Sequence, residues 1–252
     1  MWTERQAIEI FHLLFLRGFS ARVDKALFVL KGGCNLRFYH RSVRYSEDMD
    51  LDIRTMAQGT LRSNVETVLG ANSFRQALRA QQLEVGEFSA PKQTQTTQRW
   101  KVQLRQLTPP ATFPTKIEFS RRTWDEGVSL AAVEPELIRR YRLYPVLVQH
   151  YGAAAAFAQK ISALAMRAEP QARDIFDLKL LCDAGAAATP LPNVQLDELP
   201  QAIDNAMSIG FDDFVGQVVA FLEPEHQADF GNRASWEALQ ERVVDTLRGL
   251  AP

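Results

Sequence analysis

Cysteine is almost absent from this chain of 252 residues: only Cys34 and Cys182 occur. Two thiols build no disulfide framework, and they suit a reducing cytoplasm. Long apolar runs are missing as well. No stretch approaches the ~18 apolar residues needed to cross a bilayer. The apolar segment from Ala7 to Leu16 is interrupted by Glu9 and His12, and no small-residue cleavage site follows it; it reads as an amphipathic helix rather than a signal peptide. Net charge is lacking too. Lys and Arg number 29 against 30 Asp and Glu, a formal charge of −1, so no whole-molecule field draws in nucleic acid. There is no basic face with interleaved aromatics of the kind single-strand binders show. What is present, 46% hydrophobic and 23% charged residues, is the composition of an ordinary globular protein of one large or two small domains.

The most informative stretch joins Lys31-Gly32-Gly33-Cys34 to Tyr45-Ser46-Glu47-Asp48-Met49-Asp50-Leu51-Asp52. Residues two apart on a strand share a face, so Asp48, Asp50 and Asp52 point one way while Met49, Leu51 and Ile53 point the other. One face packs and the other concentrates negative charge. Like charges so close repel, and a bound cation would neutralise them; magnesium, which takes hard oxygen ligands, fits best. A solvated edge strand, where charges discourage aggregation, gives the same pattern. The glycine pair after the apolar Phe28-Val29-Leu30 tips the balance, because backbone amides at such a turn can cradle phosphate. Ordinary turn formation is the commoner use of a Gly-Gly pair, and the two elements in order say more than either alone.

In these residues the chain resembles the AbiEii/AbiGii toxin-like nucleotidyltransferases, a branch of the DNA polymerase β-like nucleotidyltransferase superfamily. The family signature of an N-terminal helix, Lys-Gly-Gly-Ser/Thr-x-Leu-Arg and Arg-x-Ser-x-Asp-x-Asp is matched by Lys31-Gly32-Gly33-Cys34-Asn35-Leu36-Arg37 and Arg44-Tyr45-Ser46-Glu47-Asp48-Met49-Asp50. A downstream helical lysine and an Arg-Asp-aliphatic-aromatic-Asp-Leu helix are matched by Lys160 and Arg173-Asp174-Ile175-Phe176-Asp177-Leu178. The resemblance covers about residues 5 to 183. One departure stands out: the family's hydroxyl residue after the glycine pair is Cys34 here. A thiol is a weak donor to phosphate, and a small buried residue is the commoner fate of a free cysteine.

The resemblance implies an α+β fold, with a small mixed sheet flanked by helices in a nucleotidyltransferase domain (1–143) and a mainly helical domain (144–252) carrying Lys160 and Asp174. It implies metal-dependent transfer of a nucleoside monophosphate from a nucleoside triphosphate, with Asp48, Asp50 and Glu118 holding Mg2+, two ions being the superfamily's habit. Lys31, Gly32, Gly33, Cys34, Arg44, Ser46 and Lys160 would bind the nucleotide, and Glu118, Lys160 and Asp174 would complete the catalytic set. It further implies the toxin half of a type IV toxin–antitoxin or phage-defence pair, with an antitoxin protein as partner, no membrane association, and RNA, such as the 3′ end of tRNA, as acceptor. Two alternatives stay open: an enzyme modifying a protein or a small molecule of antibiotic type, and an inactive nucleotide-binding protein.

The rest of the chain is read from its periodicity. Helices are expected at 3–17, at 21–29, from Leu36 to His40 and over 58–82, where Leu61, Val65, Val68, Leu69, Phe74 and Leu78 keep helical spacing. Trp100, Val102 and Leu104 alternate with Lys101, Gln103 and Arg105 as in a half-buried strand, and Gln93 to Gln98 reads as a hairpin edge or loop. Lys116-Ile117-Glu118-Phe119-Ser120 alternates again, with Ile117 and Phe119 toward the core and Glu118 on the open face, either beside Asp48 and Asp50 or paired with Lys116 or Lys101. From Val133 the chain turns mainly helical, with Tyr144-Pro145 as a lobe boundary. Lys160 lies on an apolar helical stripe, where a lysine usually snorkels to solvent. Asp174 and Asp177 sit in a first helical turn, where carboxylates are ordinary dipole partners; Asp177 is also a candidate for the role given to Asp174. Residues 186–198 read as a linker, with helices at about 199–208, 211–222 and 234–249. Basic clusters occur at Arg37, His40, Arg41 and Arg44, at Arg99, Lys101 and Arg105, at Arg121 and Arg122, and at Arg139, Arg140 and Arg142; each is more often a solvated face than a phosphate track.

Overall fold

The computed structural model describes residues 1–124 and 126–251, and the side chains of 193 and 194 are left aside. The chain forms two compact units: residues 1–41 with 45–151, and residues 42–44 with 152–252. Tyr144-Pro145, expected to mark the boundary, precedes a strand that still belongs to the first unit; the break comes after Tyr151.

The first unit opens with α1 (Glu4–Arg22), capped by Thr3, whose hydroxyl accepts from the Gln6 amide while the Gln6 side chain accepts from the Thr3 amide. There follow β1 (Phe28–Lys31), α2 (Gly32–Tyr39), β2 (Asp48–Ile53), α3 (Gln58–Gly70), α4 (Asn72–Ala80), β3 (Leu83–Gln93), β4 (Thr97–Gln106), β5 (Ala111–Arg121), β6 (Val128–Ala132), α5 (Pro135–Arg140) and β7 (Leu147–Tyr151). Among the described residues the seven strands form one mixed sheet in the order β3-β4-β5-β2-β1-β7-β6. The β2 strand runs parallel to β5 and antiparallel to β1, so the acidic strand is central rather than an edge. The sheet with its flanking helices is the expected α+β architecture.

Alternation decides which face packs. Met49, Leu51, Ile53, Ile117, Phe119, Trp100, Val102 and Leu104 are all buried. Against them lies α1, whose Phe11, Phe15 and Phe19 recur every fourth residue and stack in succession, Phe19 reaching Phe28 and Phe119. Glu9 on the same helix is buried and takes the Arg37 guanidinium at 2.6 Å and the Tyr141 hydroxyl at 2.5 Å. That network ties α1 to α2.

Several expected elements differ. Residues 25–27 form one 3-10 turn and 28–31 a strand in place of a helix over 21–29, because the apolar triplet Phe28-Val29-Leu30 finds ladder partners in β2. The helix over 58–82 breaks at Gly70-Ala71 into α3 and α4. Three strands, β3, β6 and β7, have no counterpart among the expected elements.

The second unit is helical: α6 (Ala153–Met166), α7 (Ala172–Asp183), α8 (Asn193–Ser208), α9 (Phe211–Gln217), α10 (Pro224–Phe230) and α11 (Arg233–Leu250). Part of the expected linker, from Asn193 onward, is helical. No helix among the described residues is long and apolar enough to cross a membrane.

Arg37→Met leaves Glu9 buried without its counter-charge and is expected to cost about 3–5 kcal/mol of stability. The double variant Glu9→Gln/Arg37→Met should recover much of that loss in urea unfolding; a single variant as stable as the wild type would remove the network from the account.

Candidate active site

The glycine turn and the acidic strand meet through backbone geometry. Gly32 opens α2 with φ +66, and a Cβ there would stand 3.1 Å from Asp50 Oδ2. Only glycine combines that left-handed backbone with so close an approach. No side chain caps the first turn of α2, which leaves its amides to an outside acceptor.

The start of β2 is pinned from several sides. The Asp48 carbonyl accepts from Ser46 Oγ at 2.9 Å and from Cys34 Sγ at 3.2 Å. Thr115 Oγ1 donates to the Glu47 carbonyl at 2.7 Å, so the His12 Nε2 group 2.9 Å away is the donor to Thr115. Burial pushes the His12 imidazole down to about 3 and keeps it neutral. Its Nδ1 lies 3.5 Å from Cys34 Sγ. Burial, with Asp50 nearby, pushes the Cys34 thiol well above the ordinary range. The thiol faces inward, so this position could offer phosphate its amide but not its side chain.

The parallel register sets Asp50 opposite Glu118 and Asp48 opposite Lys116. Asp48 Oδ2 is 2.7 Å from Lys116 Nζ, and Glu118 is paired with Arg99 across the β4–β5 ladder. Asp50 makes no ion pair among the described residues. Burial raises its carboxyl pKa, Lys31 partly offsetting and Asp48 and Glu118 adding to the rise. The third aspartate differs: Asp52 is buried, takes Lys31 Nζ at 2.5 Å and accepts from the Tyr151 hydroxyl at 2.8 Å. Lys31 is thereby fixed beside the glycine turn. The sheet also sets like charges directly opposite, Lys101 to Lys116 and Lys92 to Arg99, an arrangement that costs stability unless anions share it.

The donor set suits a hard divalent cation: three carboxylates, with burial, Asp48 and Glu118 all raising the pKa of Asp50, a cost that a bound cation would relieve. The Asp48, Asp50 and Glu118 oxygens are not all within 4.8 Å of one another; among the described residues only Glu223, Glu225 and His226, in the second unit, are. Lys116 and Arg99 hold two of the three, standing where a metal's charge would act.

Lys160, Asp174, Asp177 and Arg44 are gathered in the second unit. Lys160 Nζ lies 2.8 Å from Asp174 Oδ1 and 2.6 Å from Asp177 Oδ2, with both carboxylates fully buried. Arg44 grips Asp177 through Nη2 at 2.9 Å and 3.1 Å, and Arg167 approaches Asp174 at 2.8 Å. Burial alone would depress the Lys160 ammonium, but Asp174 and Asp177 hold it above its ordinary value; burial would raise Asp174, but Lys160 and Arg167 hold it below. Lys160 is therefore a paired lysine rather than a snorkelling one, and Arg44 sits in a carboxylate pair. Asp48, Asp50, Glu118 and the glycine turn belong to the first unit and this cluster to the second.

Sequence reasoning missed Tyr151, Thr115 and His12 as supports of the acidic strand, and Arg99 as the partner of Glu118. The lysines expected as alternative partners of Glu118 do not take that place: Lys116 pairs with Asp48, and the β4–β5 register sets Lys101 opposite Lys116 rather than Glu118.

A family model described as nucleotidyl transferase AbiEii toxin, type IV toxin–antitoxin system, matches residues 14–248. No curated protein matches the chain. Among solved structures, a proposed nucleotidyltransferase of Helicobacter pylori superposes with a TM-score of 0.60 at 18% identity, covering 98% of each chain. JHP933 from Helicobacter pylori superposes with a TM-score of 0.57 at 18% identity, covering 97% of this chain and 94% of that one. At these identities the likeness is one of fold.

An aspartate whose pKa is raised on folding stabilises the fold at acid pH, and that contribution is lost as pH rises through its folded value. Asp50→Asn is therefore expected to melt at or above the wild-type temperature at neutral pH, with the advantage shrinking toward pH 4. Thermal melts across that range check it, and a variant melting far lower at neutral pH would contradict the charge argument.

Proposed function

Because the chain belongs to the AbiEii nucleotidyltransferase toxin family of type IV toxin–antitoxin systems, we propose that it transfers a nucleoside monophosphate from a nucleoside triphosphate to RNA, the 3′ end of tRNA being the leading acceptor. The observation that carries the reading is the close approach of the Gly32 turn to Asp50, itself set beside Glu118 by the β2–β5 register.

Asp48, Asp50 and Glu118 would hold magnesium, two ions being the expected number. Bound there, the metal would supply neutralisation of the charge that develops during phosphoryl transfer. The amides of Gly32, Gly33 and Cys34 bind phosphate, with Lys31, held by Asp52, adding positive charge beside them. Ser46 holds the backbone of Asp48. The acceptor hydroxyl oxygen forms a bond to the α-phosphorus, the bond from that phosphorus to the β-phosphate oxygen breaks, and pyrophosphate leaves. Glu118 takes the hydroxyl proton or serves as a ligand. The family resemblance gives Lys160, held by Asp174 and Asp177 with Arg44 behind them, the role of neutralising the departing pyrophosphate. An antitoxin partner, a role in phage defence and a cytoplasmic setting complete the proposal, the last supported by the two unpaired cysteines.

Purified protein with Mg2+ and labelled nucleoside triphosphates is expected to label total bacterial RNA. Asp48→Asn and Asp50→Asn should each lose at least ~100-fold in transfer and relieve growth arrest while remaining folded. Label on protein, or nowhere, would sink the RNA acceptor. Millimolar Mg2+ should raise the melting temperature of the wild type but not of the double variant; equal shifts would place the metal elsewhere.

A further inference from the structure

Beyond the acidic face, where β2 and β5 end side by side, three arginines share one open depression. Arg54, Arg121 and Arg122 line it with Thr55 and Thr123, and its volume is about 1060 Å³. None of the three has a carboxylate partner among the described residues. Arg54 donates to the carbonyls of Ala26 and Trp124, both at 3.2 Å, and lies over the Trp124 ring. Arg121 Nη2 donates to Gln98 Oε1 at 2.6 Å and to the Met56 carbonyl at 3.3 Å, while its Nη1 is buried without a hydrogen-bond partner. Arg122 is exposed. Neutral acceptors orient a guanidinium but leave its charge standing. The buried cations Arg37, Arg44 and Lys160, by contrast, each have carboxylates against them. Burial also lowers the Arg121 pKa.

Three guanidiniums with no carboxylate partner among the described residues share one depression that suits an anion, and the planar fork of arginine matches phosphate oxygens two at a time. The position narrows the choice. Arg54, one residue past β2, follows Asp50 by four residues along the strand direction, on the order of 13 Å, and Arg122, one residue past β5, follows Glu118 by the same interval. The cations thus lie at one end of the strands that bear the carboxylates, at a distance suited to a chain of phosphates. We propose that this depression binds backbone phosphates of the acceptor RNA, interior to the end presented to Asp48, Asp50 and Glu118. The assignment rests on the RNA reading of the acidic site.

The test is fluorescence anisotropy of an end-labelled single-stranded RNA oligonucleotide with the full chain, at several salt concentrations and without nucleotide. The variants are Arg122→Glu and Arg121→Gln/Arg122→Glu, with Arg54 kept because it supports Ala26 and Trp124. Melting temperatures establish that the variants are folded. Arg122→Glu is expected to weaken binding at least ~tenfold and to lower the slope of log K against log salt by about 0.7 for each phosphate that is no longer neutralised. Asp48→Asn/Asp50→Asn should bind RNA at least as well as the wild type. Equal affinity of wild type and Arg122→Glu, or no RNA binding by the wild type, would overturn the assignment. So would Arg122-dependent binding of inorganic tripolyphosphate with none of RNA, which would mark a site for a compact phosphate. The two readings fail separately. Transfer to RNA with an indifferent Arg122→Glu removes the depression alone, whereas Arg122-dependent RNA binding without transfer removes the transferase reading alone.

Discussion

The parallel register of β2 on β5 is the constraint to which the rest of the first unit answers. It sets Asp50 opposite Glu118, two residues from Asp48, and so concentrates negative charge on one sheet face whose other side is sealed by Met49, Leu51, Ile117 and Phe119. Such a face cannot relax by turning over, because a one-residue slip would carry the apolar set into water. The surrounding groups balance it instead. Lys116 and Arg99 each take one carboxylate, Lys31 is drawn to Asp52, and Ser46, Cys34 and Thr115 hold the backbone where the strand begins.

The acidic strand, its two faces and the glycine turn were legible in the sequence because they depend on local periodicity. The strand of Glu118 was legible for the same reason. What could not be read was whatever depends on pairing between distant segments. Phe28-Val29-Leu30 suits a helix or a strand, and only the ladder with β2 decides. The strand Leu147–Tyr151 follows a proline and is too short to declare itself, yet it pairs with both β1 and β6. Arg99 becomes the partner of Glu118 through the β4–β5 register, nineteen residues away in the chain. The two helices in place of one over 58–82 mark a smaller failure, since Gly70 at the break was itself a visible warning.

The second unit adds a point about chain economy. Arg44 lies only four residues before Asp48, but residues 42–44 pack with the helical unit and Arg44 closes on Asp177. In the sequence it reads as part of the phosphate-binding motif. In the structure its guanidinium and Lys160 answer the fully buried Asp177, while Lys160 and Arg167 answer the equally buried Asp174. Burying two carboxylates is tolerable only because three cations surround them, so the arginine is a condition of the cluster that holds Lys160.

Cys34 replaces a hydroxyl in the motif, and its environment gives that exchange a meaning of its own. The sulfur is out of solvent, protonated, and occupied by the Asp48 carbonyl beside a neutral His12. A thiol in that state is a poor nucleophile and a poor target for peroxide or alkylating agents. The residue that looks most exposed to oxidative damage in the motif is therefore protected from it for as long as the unit stays folded.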